Sequence, residues 1–353
     1  MAFAILPPLG KGGFCGLGFE LNKKNSLGNT NKKVKREFFM ATNSRKVVLV
    51  GTGMVGMSFA YASLNQNICD ELVLIDIDAL RASGEAMDLN HGLAFSQASM
   101  KIRAGDYTEC RDADIVVICA GVNQKEGESR LQLLSRNAEV FRSVVAPVIE
   151  SGFDGIFLVA TNPVDVMTRL TFELSGFDDC RVIGTGTTLD TARLRYLLGE
   201  YFHLDPRNVH AYVIGEHGDS EFTPWSQALL ATKPVLKVLE DNKNKFFYSD
   251  LERISVEVKN AAQKIIRAKR ATYYGIGMSI ARIVRAILSD EHSVLTVSGR
   301  LRGEYGRTDV FLGNPCIIGR SGIDRTIELT LTKAELEKFH RSCDILAESF
   351  SQL

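Results

Sequence analysis

His217 follows a short apolar run, Ala211 to Ile214, in the stretch VIGEHGDS. Histidine titrates near neutral pH, so one at a strand end can give and take a proton. The ring then needs a carboxylate to orient it and to stabilise its charged form. Asp190 in LDTARLRYLLGE is such a carboxylate, and Arg193 lies three residues on, on the same helix face. The planar guanidinium of Arg193 can clamp a substrate carboxylate in two hydrogen bonds. Arg130 closes the polar stretch GVNQKEGESR, with Gly121 and Gly127 as hinges, and reads as a second cation carried on a lid. Such a cation would polarise a carbonyl as negative charge builds on its oxygen. These are the parts that hydride exchange between a nicotinamide and a 2-hydroxy or 2-oxo acid requires. Each also has a plainer reading when taken singly. Arg130 can solvate a helix start, Asp190 and Arg193 can be an ordinary surface pair, and Asn162 in ATNPVD can cap the helix that Pro163 opens. Gly218 is expected to let the backbone turn beside His217.

The hydride donor must be held as well. VLVGTGMVG places Gly51, Gly53 and Gly56 in GxGxxG spacing between an apolar run and a small-residue helix. Gly51 permits the tight turn, Gly53 lets a pyrophosphate approach the backbone, and Gly56 lets helix and strand pack closely. Met54 and Val55 begin the helix, whose free N–H groups and positive partial charge face the phosphates. Asp76 stands about 20 residues further on, at the next strand end, where it would accept from a ribose 2′-hydroxyl and repel a 2′-phosphate. NAD is therefore expected over NADP. Asp78 competes for the role but sits further into the loop.

The elements that must position these residues follow from periodicity. Val- and Ile-rich runs at 46–51, 71–77, 101–105, 114–121, 155–163 and 181–186 are bounded by Gly, Asp or Asn. They read as parallel strands buried on both faces. Helical patterns near 54–64, 79–89 and 130–149 alternate with them. The expected fold class is α/β: a doubly wound parallel (Rossmann) sheet over 45–186, followed by a mixed α+β substrate domain over 187–353. That second part should hold helices near 188–201, 249–269, 274–289 and 334–350. Its strands are expected in the run before His217 and in SVLTVSG, DVFLGNPCIIG and RTIELTLT.

Composition narrows the classes. The 353-residue chain has 42 basic and 42 acidic residues, so no global basic field argues for nucleic acid. The seven cysteines are odd in number and lack a CxxC pair, which speaks against a disulfide framework or zinc site and for a reducing cytoplasm. No run approaches the roughly 20 apolar residues needed to span a bilayer. Residues 1–39 carry seven basic residues against two acidic ones, in a Gly-, Asn- and Lys-rich stretch without a period. With residues 40–44 they are expected to be a disordered extension, a tag remnant or the result of an early start, Met40 being the natural alternative. Their apolar part precedes the charges, the reverse of signal-peptide order.

From about Arg45 onward the chain resembles the bacterial-type NAD-dependent L-lactate dehydrogenases of the lactate/malate dehydrogenase family. GTGMVG, AMDLNHG, NQKEGESRL, TNPVD, LDTARLRYLLG, IGEHGDS and GNPCIIGRSGI fall in the family's order and spacing. The resemblance implies that His217 exchanges a proton with pyruvate or L-lactate, with Asp190 holding its tautomer. Arg193 would grip the carboxylate and Arg130 polarise the carbonyl. Asn162 would lie near the nicotinamide and the reacting oxygen, and Thr272 would wall the pocket. It also implies a metal-free, cytoplasmic homotetramer of fermentative glycolysis. In the family's malate enzymes an Arg occupies the place of Gln124; neutral Gln124 leaves room for a methyl group and offers a second carboxylate no partner, with Lys125 expected to face solvent. Arg195 and His210 match an anion site that binds fructose 1,6-bisphosphate at a subunit interface in the bacterial branch. The chain departs from the family at Arg270, where a Gly is usual. Malate or branched 2-hydroxy acid dehydrogenases and a non-enzymatic NAD-binding scaffold are the competing readings.

Overall fold

The computed structural model describes residues 45–122 and 130–353, with side chains from residue 132 onward in the second segment. Gln124, Lys125 and the rest of the expected lid loop lie outside the described residues, as does the tail through residue 44. Arg130 is placed by its backbone alone.

Six parallel strands form the first half: β1 (Lys46–Val50), β2 (Glu71–Ile75), β3 (Lys101–Ala104), β4 (Ile115–Ile118), β5 (Ile156–Val159) and β6 (Val182–Gly184). They lie in the order 3-2-1-4-5-6, the doubly wound arrangement with its crossover point between β1 and β4. Helices α1 (Met54–Gln66), α2 (Ala79–Leu93), α3 (Arg130–Glu150), α4 (Val164–Ser175) and α5 (Thr188–Phe202) follow β1, β2, β4, β5 and β6. The strands read as unbroken apolar runs because both faces are covered. Val48 and Val50 of β1 enter one core with Val116, Phe141 and Met167, while Val47 and Leu49 enter the opposite core with Phe59 and Leu158.

The second half adds β7 (Val209–His210), β8 (Leu229–Leu230), β9 (Lys233–Pro234), α6 (Val235–Asp241), α7 (Tyr248–Lys269), α8 (Tyr274–Leu288), β10 (Ser293–Arg302), β11 (Thr308–Gly319), β12 (Gly322–Thr326) and α9 (Lys333–Ser351). The short strands β7, β8 and β9 make a small antiparallel sheet. The longer three extend the main sheet to nine strands among the described residues, with β10 antiparallel to β6 through Ser298 and Gly184. A third core joins Leu194 and Leu198 of α5 to Val209, Val235, Leu251 and Val258.

Three details differ from the expected elements. Ala211, Val213 and Ile214 are buried and Tyr212 is half-buried, but the run is not a regular strand: the backbone of Val213 bonds to hydroxyls, donating to Thr191 Oγ1 at 2.9 Å and accepting from Thr187 Oγ1 at 2.6 Å, and Ile214 makes a single antiparallel bridge to Phe222. An apolar run of this kind looks like a strand in sequence because burial, not pairing, sets its composition. RTIELTLT contributes only its first two residues to a strand; beyond Thr326 the chain leaves the ladder, while Leu329 and Leu331 pack on the core. The seven-residue α6 is too short to display a helical period and was not foreseen.

Arg270 is the C-cap of α7 in the left-handed region, at φ 73°, with its N–H bonded to Ile266 O at 2.7 Å. A helix end of this geometry is where glycine costs least, which accounts for the usual Gly there. Here the chain keeps the turn and bears an arginine in it. Thr272 follows in the α7–α8 connection and is half-buried.

Candidate active site

The glycine loop joins β1 to α1 at the C-terminal edge of the sheet. Gly51 has φ 101°, and a Cβ there would meet Ala120 N at 2.5 Å, so only glycine fits. A Cβ on Gly56 would strike the Gly51 carbonyl, which closes the loop onto the helix. Gly53, the N-cap of α1, is different: nothing lies within 4 Å of a Cβ built on it. The space beside its backbone is open at a helix N-terminus, as a bound pyrophosphate requires. Met54 is exposed and Val55 half-buried at the start of α1.

Asp76 stands immediately after β2. Its Oδ2 accepts from Thr52 N at 2.7 Å and Thr52 Oγ1 at 2.8 Å, and its Oδ1 from Asp78 N at 3.0 Å. Burial works against its charge, yet these donors hold its pKa below the usual carboxylate value. Asp76 is thus a fixed anion tied to the glycine loop. Asp78 instead caps α2, accepting from Arg81 N at 3.1 Å. These residues fit a dinucleotide.

His217 lies on the loop beyond Ile214. Its Nδ1 is 2.6 Å from Asp190 Oδ2, and Arg193 Nη1 donates to Asp190 Oδ1 at 2.8 Å. Only 2% of the Asp190 side chain and 13% of the Arg193 side chain are exposed, so this is no surface pair. Burial opposes ionisation of Asp190, but His217 and Arg193 together keep its pKa lowered. Burial also opposes charge on His217, yet the ionised partner Asp190 outweighs it and raises the ring to about 9. Because 26% of the His217 side chain stays exposed while Nδ1 is occupied, the other ring nitrogen is the one available to a ligand.

Several elements fix the loop. His217 N donates to Asp165 Oδ2 at 2.7 Å, and Glu216 N to Ser342 Oγ of α9 at 3.2 Å. Gly215 has φ 99° and pairs with Gly313 of β11 through two backbone bonds of 2.9 Å. The glycine that permits the turn is therefore Gly215 and not Gly218, which has no positive φ. Asn162 is exposed between β5 and α4, its carbonyl accepting from Asn137 Nδ2 at 3.0 Å. The N-cap of α4 is Pro163, so capping does not account for Asn162.

Arg195 of α5 donates Nε to Ala211 O at 3.2 Å, beside exposed His210 at the end of β7. Two residues were missed in sequence. Asp165 is buried in the first turn of α4, and burial pushes its pKa up to about 6. Glu221 is buried four residues after His217, and burial together with Asp190 pushes it up to about 8. Asp165 lay within TNPVD, but only the fold shows that it reaches the His217 backbone.

A doubly wound nucleotide-binding sheet with an aspartate-paired histidine and a guanidinium in the part that follows defines a class: NAD-dependent oxidoreductases. Residues 45–184 match the family model for the lactate/malate dehydrogenase NAD binding domain, and residues 187–353 that for the lactate/malate dehydrogenase alpha/beta C-terminal domain. The chain belongs to the lactate/malate dehydrogenase family. It is 52% identical over 311 residues to an L-lactate dehydrogenase of Geobacillus stearothermophilus, spanning 87% of this chain and 98% of the relative. It is also 52% identical to L-lactate dehydrogenase 2 of Lactococcus lactis subsp. lactis, over 88% and 98% of the two chains. Among solved structures, a minor L-lactate dehydrogenase from Enterococcus mundtii in a ligands-bound form superposes with a TM-score of 0.87 at 48% identity, covering 88% and 99%. A lactate dehydrogenase from a deep-sea metagenome library gives 0.86 at 50% identity, covering 88% and 98%.

Proposed function

We propose that this enzyme is an L-lactate dehydrogenase that interconverts pyruvate and L-lactate in fermentative glycolysis. The observation that carries the reading is the buried chain Arg193–Asp190–His217, with bonds of 2.8 and 2.6 Å. NAD supplies or takes the hydride when bound, and Gly51, Gly53, Met54, Val55, Gly56, Asp76 and Asn162 would hold it. In reduction His217, charged, gives its proton to the carbonyl oxygen as an alkoxide develops; in oxidation neutral His217 takes it back. Asp190 holds the ring through Nδ1 and favours the imidazolium. Arg193 spends one N–H on Asp190 and keeps others for the substrate carboxylate. Arg130, at the start of α3, would polarise the carbonyl. Gln124 would face the substrate's far end and Thr272 the pocket wall.

The test is turnover of pyruvate, oxaloacetate and 2-oxoisocaproate with NADH, run beside Gln124→Arg. Pyruvate is the expected substrate, and the variant should shift preference toward oxaloacetate, because the added guanidinium pairs a second carboxylate. Turnover of none of the three overturns the enzyme reading. An unshifted preference removes the role given to Gln124.

A second reading concerns Arg195. Burial lowers its pKa, and its polar contacts among the described residues are the Ala211 carbonyl and Tyr212, with no carboxylate. It lines a cavity of about 370 Å³ with Arg282. With His210 nearby, this supports an anion site for fructose 1,6-bisphosphate. Pyruvate affinity unchanged by the bisphosphate at neutral pH would exclude it. Assembly as a homotetramer is part of the proposal, supported by the exposed apolar side chains of Met54, Tyr61, Tyr274 and Met278 around one groove, and is read by sedimentation. No described helix is long and apolar enough to cross a membrane; a cytoplasmic location is proposed on the cysteine pattern.

A further inference from the structure

Beside the aspartate–histidine pair lies a third acid. An oxygen of Glu221, an oxygen of Asp190 and a ring nitrogen of His217 all lie within 4.8 Å of one another. Glu221 is 3% exposed, and among the described residues its Oε1 has no hydrogen-bond partner. A buried carboxylate in that condition is costly, and more so with ionised Asp190 beside it.

We propose that Glu221 is a positioning residue of the proton-transfer site, a buried acid whose ionisation places a second negative charge beside His217 and extends its charged state to higher pH. The inference rests on the dehydrogenase reading of His217.

The surrounding charges decide the sign. Asp190 and Arg193 face Glu221 from α5, Lys259 from α7, and His217 from its own loop. Asp165 of α4 bonds the His217 backbone. Asp190 and the buried setting favour the neutral acid, and the three cations favour the anion. These opposing influences raise the group to about 8, in the same range as the raised titration of His217, so the two ionisations are linked. Protons can reach it, because Glu221 also lines a cavity of about 350 Å³ with Lys259, Lys338 and Arg341. When Glu221 ionises, His217 gains a second anion and holds its proton more tightly. Asp190 alone would orient the ring; Glu221 sets how far into alkali the ring remains an acid.

Glu221→Gln keeps the shape and removes the ionisation. The alkaline limb of kcat/KM for 2-oxo acid reduction should move down by about half a pH unit or more. Glu221→Asp, which keeps an acid, should retain a limb closer to wild type. A side chain with a packing role alone would alter rate or stability and leave the limb in place. An infrared difference spectrum of the wild-type protein between pH 6.5 and pH 9.5 gives a second reading without turnover. A protonated-carboxyl C=O band should weaken as pH rises toward 9.5, and Glu221→Gln should lose the part that titrates near 8, keeping only the smaller part from Asp165, which titrates near 6. An unmoved limb in a folded Glu221→Gln protein, or no part of the band lost in it, overturns the proposal. The band needs no substrate, so that failure leaves the dehydrogenase reading standing, and failure of that reading leaves the band to be found.

Discussion

Asp190 serves two cations with its two oxygens, His217 on one and Arg193 on the other. A single buried carboxylate thereby couples the proton donor to the substrate clamp, so disturbing either should be felt by both. Replacing His217 with Gln should lower turnover by about 10²–10⁴-fold while leaving NADH binding, read by fluorescence, nearly intact. Asp190→Asn should cost a comparable factor and also weaken pyruvate binding, because Arg193 loses its anchor. The pH dependence has a definite sign. Burial alone would lower the ring, but Asp190 holds it near 9 in the free protein. Reduction needs charged His217 and should hold below that pH and fall through it, whereas oxidation should rise through it. Stopped-flow rates across pH 6–11 check both limbs; limbs centred near 6.5, histidine's ordinary value, would mean that Asp190 does not govern the ring.

The loop between β1 and α1 separates two uses of glycine that its sequence spacing cannot tell apart. Gly51 is needed by the fold, since a Cβ there meets the backbone of Ala120 at 2.5 Å and the φ is 101°. Gly53 has an ordinary φ of −71° and open space around it, so it is free of any such demand. Gly51→Ala should destabilise the protein by about 1–3 kcal/mol, visible as a lower Tm without coenzyme. Gly53→Ala should leave that Tm within a degree or two and weaken NADH binding instead. Equal effects of the two on unliganded stability would refute the distinction. The same contrast explains what could be read in advance. Buried parallel strands declare themselves, because both faces select Val and Ile, and β1, β2 and β4 stand where the pattern puts them. Ala211–Ile214 misled for the same reason: its composition reports burial, while its backbone bonds are scattered, those of Val213 to Thr187 and Thr191 and those of Ile214 to a single bridge with Phe222. The pairing of Asp190 with His217 spans 27 residues of chain and was reachable from residue types. Glu221 and Asp165 were not, because a Glu in a loop or an Asp in the first turn of a helix normally faces water, and only the packed structure shows these two enclosed.

Across the whole molecule the main sheet does not stop where the nucleotide-binding half ends. β10 hydrogen-bonds antiparallel to β6, and α8 lies against α1 so closely that a Cβ on Gly277 would meet the Ser58 backbone at 2.7 Å. Ile280, Ile283, Val284 and Ile287 of α8 share one buried cluster with Val47, Leu49 and Phe59. Each such aliphatic side chain contributes roughly 1.5–3 kcal/mol when removed from water. A fragment ending at residue 186 would lose all of them and leave β6 as an unpaired edge. It would keep the glycine loop, Asp76 and Asn162, so every contact proposed for the dinucleotide would survive on paper. Expressed alone, residues 45–186 should nonetheless aggregate or expose apolar surface to a dye such as ANS, and bind NADH far more weakly than the full chain. Adding residues 187–353 as a separate polypeptide should recover solubility and binding together, since the missing piece is the covering of one sheet face and not a ligand contact. A soluble fragment with full NADH affinity would show that α8 and β10 cover a core already stable without them, and would overturn the continuity of the sheet as a condition for folding.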